Sequence, residues 1–146
     1  MNPHPSLEKI HAAIPHRAPM LLVDEIVSQD QDAIVCKKTF HSDEYFFQGH
    51  YPEHPLTPGV ILCESAVQSG AVLLSGIVDV VGGVPVLTRM SDVKFKRMVH
   101  PGDTIENHVK LDEVVSTAYY MTAQIKCNGK MVARLSFTCT IAPSDS

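Results

Sequence analysis

No apolar run in this chain approaches the ~20 residues that a helix needs to cross a bilayer, and its first residues lack the basic stretch and apolar core of a secretory leader. A soluble, cytoplasmic protein is the expectation. The four cysteines, at 36, 63, 127 and 139, show no CxxC spacing, and three of them lie in apolar stretches where a free thiol packs as a small core side chain. A reducing compartment fits them better than a disulfide framework. Surplus positive charge is missing as well: the net charge of −4 leaves no general basic surface with which to displace the counterions of a nucleic acid. There is no internal repeat, no low-complexity segment and no G-x-S-x-G elbow, which argues against a solenoid and against a Ser-His-Asp hydrolase. What remains is a chain of 146 residues, suited to one domain over residues 1–146 that buries roughly 70% of its unfolded surface.

The stretch from Phe46 to Gly70, FFQGHYPEHPLTPGVILCESAVQSG, organises the rest. Its first part carries prolines at 52, 55 and 58, which fix φ and remove amide donors, so a stiff ordered loop is expected around His50. Thr57 is placed to cap a helix that opens at Pro58 and runs to about Leu74. Val60, Ile61, Leu62, Cys63, Ala66, Val67 and the run Ala71 to Leu74 cover nearly every face of it, the pattern of a helix buried on most sides. Glu64 and Gln68, four apart, form a narrow polar seam with Ser65 and Ser69 beside them. A solvated face explains such a seam on an ordinary helix. On one this apolar there is little water, and a carboxylate in poor solvent keeps its proton to higher pH and can donate it.

Taken in order, residues 6 to 13 predict a short helix capped by Ser6, with Leu7, Ile10 and His11 on one side and Pro15 beyond its end. Met20 to Ser28 and Ala33 to Phe40 predict a hairpin. After the central helix, Gly82-Gly83 breaks the chain, and strands are expected over 84–99, 105–115, 117–127 and 131–141, with Asn128-Gly129 as a tight turn and a frayed tail from Ala142. One apolar helix among about six antiparallel strands is an α+β arrangement in which the sheet wraps the helix. An open sheet of that size leaves edges, and pairing them across a two-fold axis would hide them, so a dimer is expected.

Several patterns compete for the chemistry. His50-Tyr51-Pro52-Glu53-His54 matches the H-x-x-E-H zinc-protease motif, but Pro52 and Pro55 prevent the helical turns that motif requires, so no metal site is expected there. The histidines at 4, 11, 16, 41, 100 and 108 form no ligand cluster, and His16 reads as a residue that orients local backbone. Ser65 and Ser69 read as packing residues. Arg89, Lys94, Lys96 and Arg97 fall within nine positions. A strand edge guarded by cations accounts for them, and so does a patch that meets an acidic partner.

The spaced set Phe46-Phe47-Gln48-Gly49-His50-Tyr51-Pro52, Pro55, Pro58-Gly59-Val60, Glu64 and Gln68 resembles the signature of the (3R)-hydroxyacyl acyl-carrier-protein dehydratases of dissociated fatty-acid synthesis. Pro15-His16-Arg17-Ala18-Pro19-Met20-Leu21-Leu22-Val23-Asp24 and Phe95-Lys96-Arg97 with Pro101-Gly102-Asp103 extend the likeness over most of the chain. The resemblance implies a hot-dog fold, a homodimer or a trimer of such dimers with active sites at the dimer interface, and an acidic acyl carrier protein as partner for Arg89, Lys94, Lys96 and Arg97. It implies His50 as base, Glu64 of the partner subunit as acid, and Gln68 as the holder of that carboxyl. No cofactor is implied beyond the phosphopantetheine arm of the substrate. The amide of Gly59, at a helix start, is the expected oxyanion donor. Phe46, Phe47 and Phe95 are expected to line the acyl tunnel, although core packing explains most such residues. Val84 to Thr88 lacks the aromatics many members carry, and Met98 stands where proline is usual, which leaves chain length open. Two rivals remain: a thioesterase of the same fold, and a non-catalytic subunit that binds the carrier. Glutamate at 64, where isomerising relatives have aspartate, favours simple dehydration.

Overall fold

The computed structural model describes residues 4–77 and 83–143. The element order is α1 (Ser6–Ala13), β1 (Glu25–Gln29), β2 (Ala33–Thr39), a single 3-10 turn (Tyr45–Phe47), α2 (Gly59–Ser75), β3 (Gly83–Phe95), β4 (Thr104–Val115), β5 (Ala118–Cys127) and β6 (Lys130–Pro143). The strands form one sheet in the order β1-β2-β4-β5-β6-β3, antiparallel at every junction. Helix α2 packs on one face of that sheet and touches β2 to β6. The helix wrapped by about six strands is therefore what the residues build.

Alternation explains which face is covered. Ile34 and Cys36 of β2, Ile105 and Val109 of β4, Met121, Ala123 and Ile125 of β5, and Ala133, Leu135, Phe137 and Cys139 of β6 are all buried against α2. From Leu62 to Leu74 every α2 residue except Glu64 is buried, which a helix can tolerate only if its polar side chains find partners. The core thins out under β3. Register puts Leu87 opposite Cys139, Met90 opposite Phe137 and Phe95 opposite Ala133, so all three face the helix side, yet they stay 43%, 42% and 49% exposed. Among the described residues this long strand also has no partner on its outer edge.

Several boundaries differ from expectation. Ser6 does not cap α1: Pro5 occupies the cap position, and the Ser6 hydroxyl reaches the Ile26 carbonyl instead. Thr57 does not cap α2, because Pro58 takes that position without a side-chain bond and the Thr57 hydroxyl is buried with no partner among the described residues. The strand expected from Met20 begins only at Glu25, since Met20 and Leu21 turn back on the Arg17 carbonyl. β3 stops at Phe95 rather than Val99, after a bulge between Ser91 and Lys94 where Asp92 adopts φ 53°. Asn128 and Gly129, both at positive φ, make the expected tight turn between β5 and β6. Gly82 of the expected break, and residues 144–146 of the expected frayed tail, lie outside the described residues.

Candidate active site

His50 sits in a loop that is ordered by its surroundings. Beneath it Phe46 and Phe47 are buried, stacked edge-on with each other and, through Phe46, with Phe40. Ahead of it the almost fully buried Lys38 pairs with Glu44 at 3.1 Å, while Glu44 also accepts the His41 amide at 3.0 Å. Behind it the Thr57 amide is fastened to the Val99 carbonyl at 2.7 Å. Residues 50–54 are turns and bends, with Tyr51 at φ 55°, so the H-x-x-E-H match does not present its histidines on a helix. The imidazole itself is fixed by a 2.9 Å bond between Nδ1 and the Leu56 carbonyl. A carbonyl oxygen only accepts, so Nδ1 donates, and in the neutral ring the lone pair lies on Nε2. That is the protonation state a general base needs.

Glu64 leads the polar seam of α2. Gln68 donates from Nε2 to its carboxylate at 2.8 Å and to the Met20 carbonyl at 2.9 Å, while Gln68 Oε1 accepts the Leu22 amide at 2.7 Å. A one-turn partner therefore holds the carboxyl, as the four-residue spacing predicts. The Glu64 side chain keeps 29% exposure in the single chain, more water than the apolar helix suggested. His16 comes beside it, with Nε2 at 3.8 Å from Glu64 Oε2 and Nδ1 buried without a partner among the described residues. The backbone-orienting task expected of His16 belongs to Arg17, whose guanidinium donates to the carbonyls of His11, Ile14 and His16. Sequence reasoning missed this approach of His16 to the seam. No local pattern signalled it, since the sequence from Met20 onward reads as a strand. Among the described residues, no hydrogen bond or ion pair joins Glu64 to His50 within one chain.

Gly59 opens α2, and no side chain caps the helix, so its first amides have no partner inside the helix. A side-chain carbon on Gly59 would fall 2.8 Å from the Phe95 ring. The glycine is thus needed for that ring. Phe95 covers the helix start and is half exposed. Phe46 and Phe47, by contrast, belong to the core, where their mutual packing accounts for them.

Two of the four basic residues lie within β3 and two just past its end. Arg89 and Lys94 point to the outer face of β3, opposite Thr138 and Arg134, whereas Lys96 and Arg97 follow the strand and bond through their amides to the Val132 carbonyl. All four are exposed. Register adds a cation that sequence spacing could not group with them: Arg134 lies across from Lys94. Its signal was being the one charged residue of β6 after Lys130.

The model of the ApeI-like family, described as ApeI dehydratase, matches residues 26–136. A 3-hydroxyacyl-(acyl-carrier-protein) dehydratase FabZ of Fusobacterium nucleatum is 38% identical over 136 residues, 92% of this chain and 95% of that protein. The protein of the same name in Streptococcus agalactiae serotype V is 36% identical, covering 92% of this chain and 96% of its own. Among solved structures, the dehydratase heterocomplex ApeI:P of Xenorhabdus doucetiae superposes with a TM-score of 0.76 at 16% identity, covering 93% of this chain and 92% of that one. The PaaI protein of Escherichia coli gives 0.64 at 18% identity, over 80% and 81%. The architecture is the hot-dog fold.

Proposed function

Because this chain belongs to the ApeI-like dehydratases and stands beside the 3-hydroxyacyl-(acyl-carrier-protein) dehydratases named FabZ, we propose that it removes water from (3R)-3-hydroxyacyl-acyl-carrier-protein to give the trans-2-enoyl thioester in fatty-acid synthesis. His50 Nε2 takes a proton from the carbon next to the thioester carbonyl. The electron pair left behind becomes the new carbon-carbon double bond as the bond from C3 to its hydroxyl breaks. Glu64 of the partner subunit gives its proton to that departing hydroxyl, which leaves as water. The imidazolium and carboxylate that remain are reset when the proton from His50 returns to the carboxylate, so the cycle consumes nothing but substrate. Negative charge gathering on the thioester oxygen meets the uncapped start of α2 at Gly59, and a donor of this kind lowers the barrier by about 3 kcal/mol.

The observation that carries the residue roles is the Nδ1-H bond of His50 to Leu56, which leaves the other ring nitrogen basic and aimed by a braced loop. The hold of Gln68 on Glu64 supports the second role. Support for a site shared between two copies comes from the half-exposed inner face and free edge of β3, in a chain whose two proton-transfer groups do not bond to each other. Phe95, seated over Gly59, is the aromatic placed to meet the acyl chain. Both proton transfers lie within reach of side chains, and no cofactor beyond the carrier's own arm is part of the proposal.

The test is incubation with 3-hydroxyacyl-acyl-carrier-protein while enoyl product and free thiol are followed together. Enoyl formation without thiol release is expected. His50→Ala should lower kcat by about 100-fold or more with carrier binding retained. Thiol release without enoyl product would assign the chain to the thioesterases instead, and parent turnover by His50→Ala would remove the imidazole from the mechanism.

A further inference from the structure

Resting on the assignment of Glu64 as the acid, we propose that Ser65 and Asn107 are positioning residues for its carboxyl, acting through the backbone of Leu22 and the side chain of Gln68. The links are short and each has a fixed direction. The Ser65 hydroxyl donates to the Leu22 carbonyl at 2.7 Å and the Ser69 hydroxyl to the Ser65 carbonyl at 3.0 Å. Both hydroxyl protons are thereby committed, so only N-H groups can approach the remaining lone pairs, and Asn107 Nδ2 does so at 2.8 Å to Ser65 and 3.1 Å to Ser69. On its other side Leu22 donates its amide to Gln68 Oε1, which fixes the orientation of that side-chain amide and leaves Nε2 for Glu64. Leu22 is thus gripped at both backbone groups by α2, through residues one and four positions after the acid.

Burial makes this grip unusual. Ser65, Ser69 and Asn107 are 0% exposed and Gln68 is 1% exposed. Asn107 interrupts the row of apolar side chains that β4 turns toward the helix, between Ile105 and Val109, and its Oδ1 has no partner among the described residues. A buried amide with one end unmatched is a poor choice where an aliphatic side chain would pack, unless its other end does something an aliphatic cannot. Here that end orients Ser65. If Ser65 releases Leu22, then Gln68 loses the donor that sets its amide and Glu64 loses a defined rotamer.

The experiment compares the full-length chain with Ser65→Ala, Asn107→Leu and Glu64→Gln, and with Ser65→Ala made in the Glu64→Gln background, all on 3-hydroxyacyl-acyl-carrier-protein. Misplacement of a catalytic group by ~1 Å costs up to about 100-fold, and Ser65→Ala is expected to lower kcat about tenfold with KM unchanged. In the Glu64→Gln background the same substitution should cost nothing further, because the group it positions is already gone. An equal loss in both backgrounds, or none in either, would overturn the positioning role and leave the acid assignment standing. Parent turnover by Glu64→Gln would overturn the assignment beneath it. Should a variant not fold, hydrogen exchange in the parent decides: the Leu22 amide must exchange as slowly as the inner amides of β4 and β5, and exchange at the rate of an open loop would refute the grip.

Discussion

Cys36 and Cys139 are buried among apolar side chains, and desolvation pushes both thiols up to about 11, with the charge of Glu64 adding to the effect at Cys139. Below pH 9 each thiol is protonated in the folded and unfolded chain alike, and its contribution to stability is complete. Between 9 and 11 the unfolded thiol ionises while the folded one does not, so stability falls by roughly 1.4 kcal/mol per pH unit per thiol. Chemical denaturation at pH 8, 9 and 10 should show this slope. A Cys36→Ala/Cys139→Ala variant should flatten it, and an unchanged slope would mean the thiols are not desolvated. The same burial keeps both residues unreactive toward alkylating reagents until the chain unfolds.

Within α2, Gly70 looks like an error of helix design, since alanine there would gain about 1 kcal/mol in helix propensity. Packing reverses the sign. A side-chain carbon on Gly70 would lie 2.8 Å from the Phe137 ring and 3.1 Å from the Met121 sulfur, both buried, and overpacking of this kind costs about 1–3 kcal/mol. Gly70→Ala should therefore be net destabilising and lower Tm by a few degrees. On the far face of the sheet, Lys94→Glu/Arg134→Glu should raise KM for carrier-linked substrate about tenfold without changing kcat, leave a short pantetheine thioester unaffected, and lose its effect at high salt. Steady-state kinetics on both substrates decide it. The elements themselves were largely legible. Periodicity located α1 and α2, alternation located the strands, and proline spacing identified the His50 loop as a loop. Helix capping and the start of β1 were not legible, because Met20 to Leu22 is as apolar as a strand while its backbone bonds go to the distant Gln68 and Ser65 side chains and the Arg17 carbonyl. In the site, the four-residue step from Glu64 to Gln68 was readable, whereas Asn107 meets Ser65 across 42 positions and leaves no trace in local pattern.

The whole molecule bears on whether one copy suffices. If each site takes His50 from one chain and Glu64 of the partner subunit, then mixing inactive His50→Ala with inactive Glu64→Gln chains and allowing exchange should restore about a quarter of parent activity, since half the dimers are mixed and each of those has one intact site. Two residues serving a site within the same chain would restore none, and the assay is the turnover of the mixture against its components. The sheet order has one more consequence. Among the described residues β3 pairs only with β6, Gly83 against Pro143 through to Phe95 against Ala133, although two other strands separate them in sequence. A chain in which β6 has not yet joined β5 has no template on which to lay out β3. Any association through this edge therefore waits until β6 is seated, and half-folded chains are kept from joining by it.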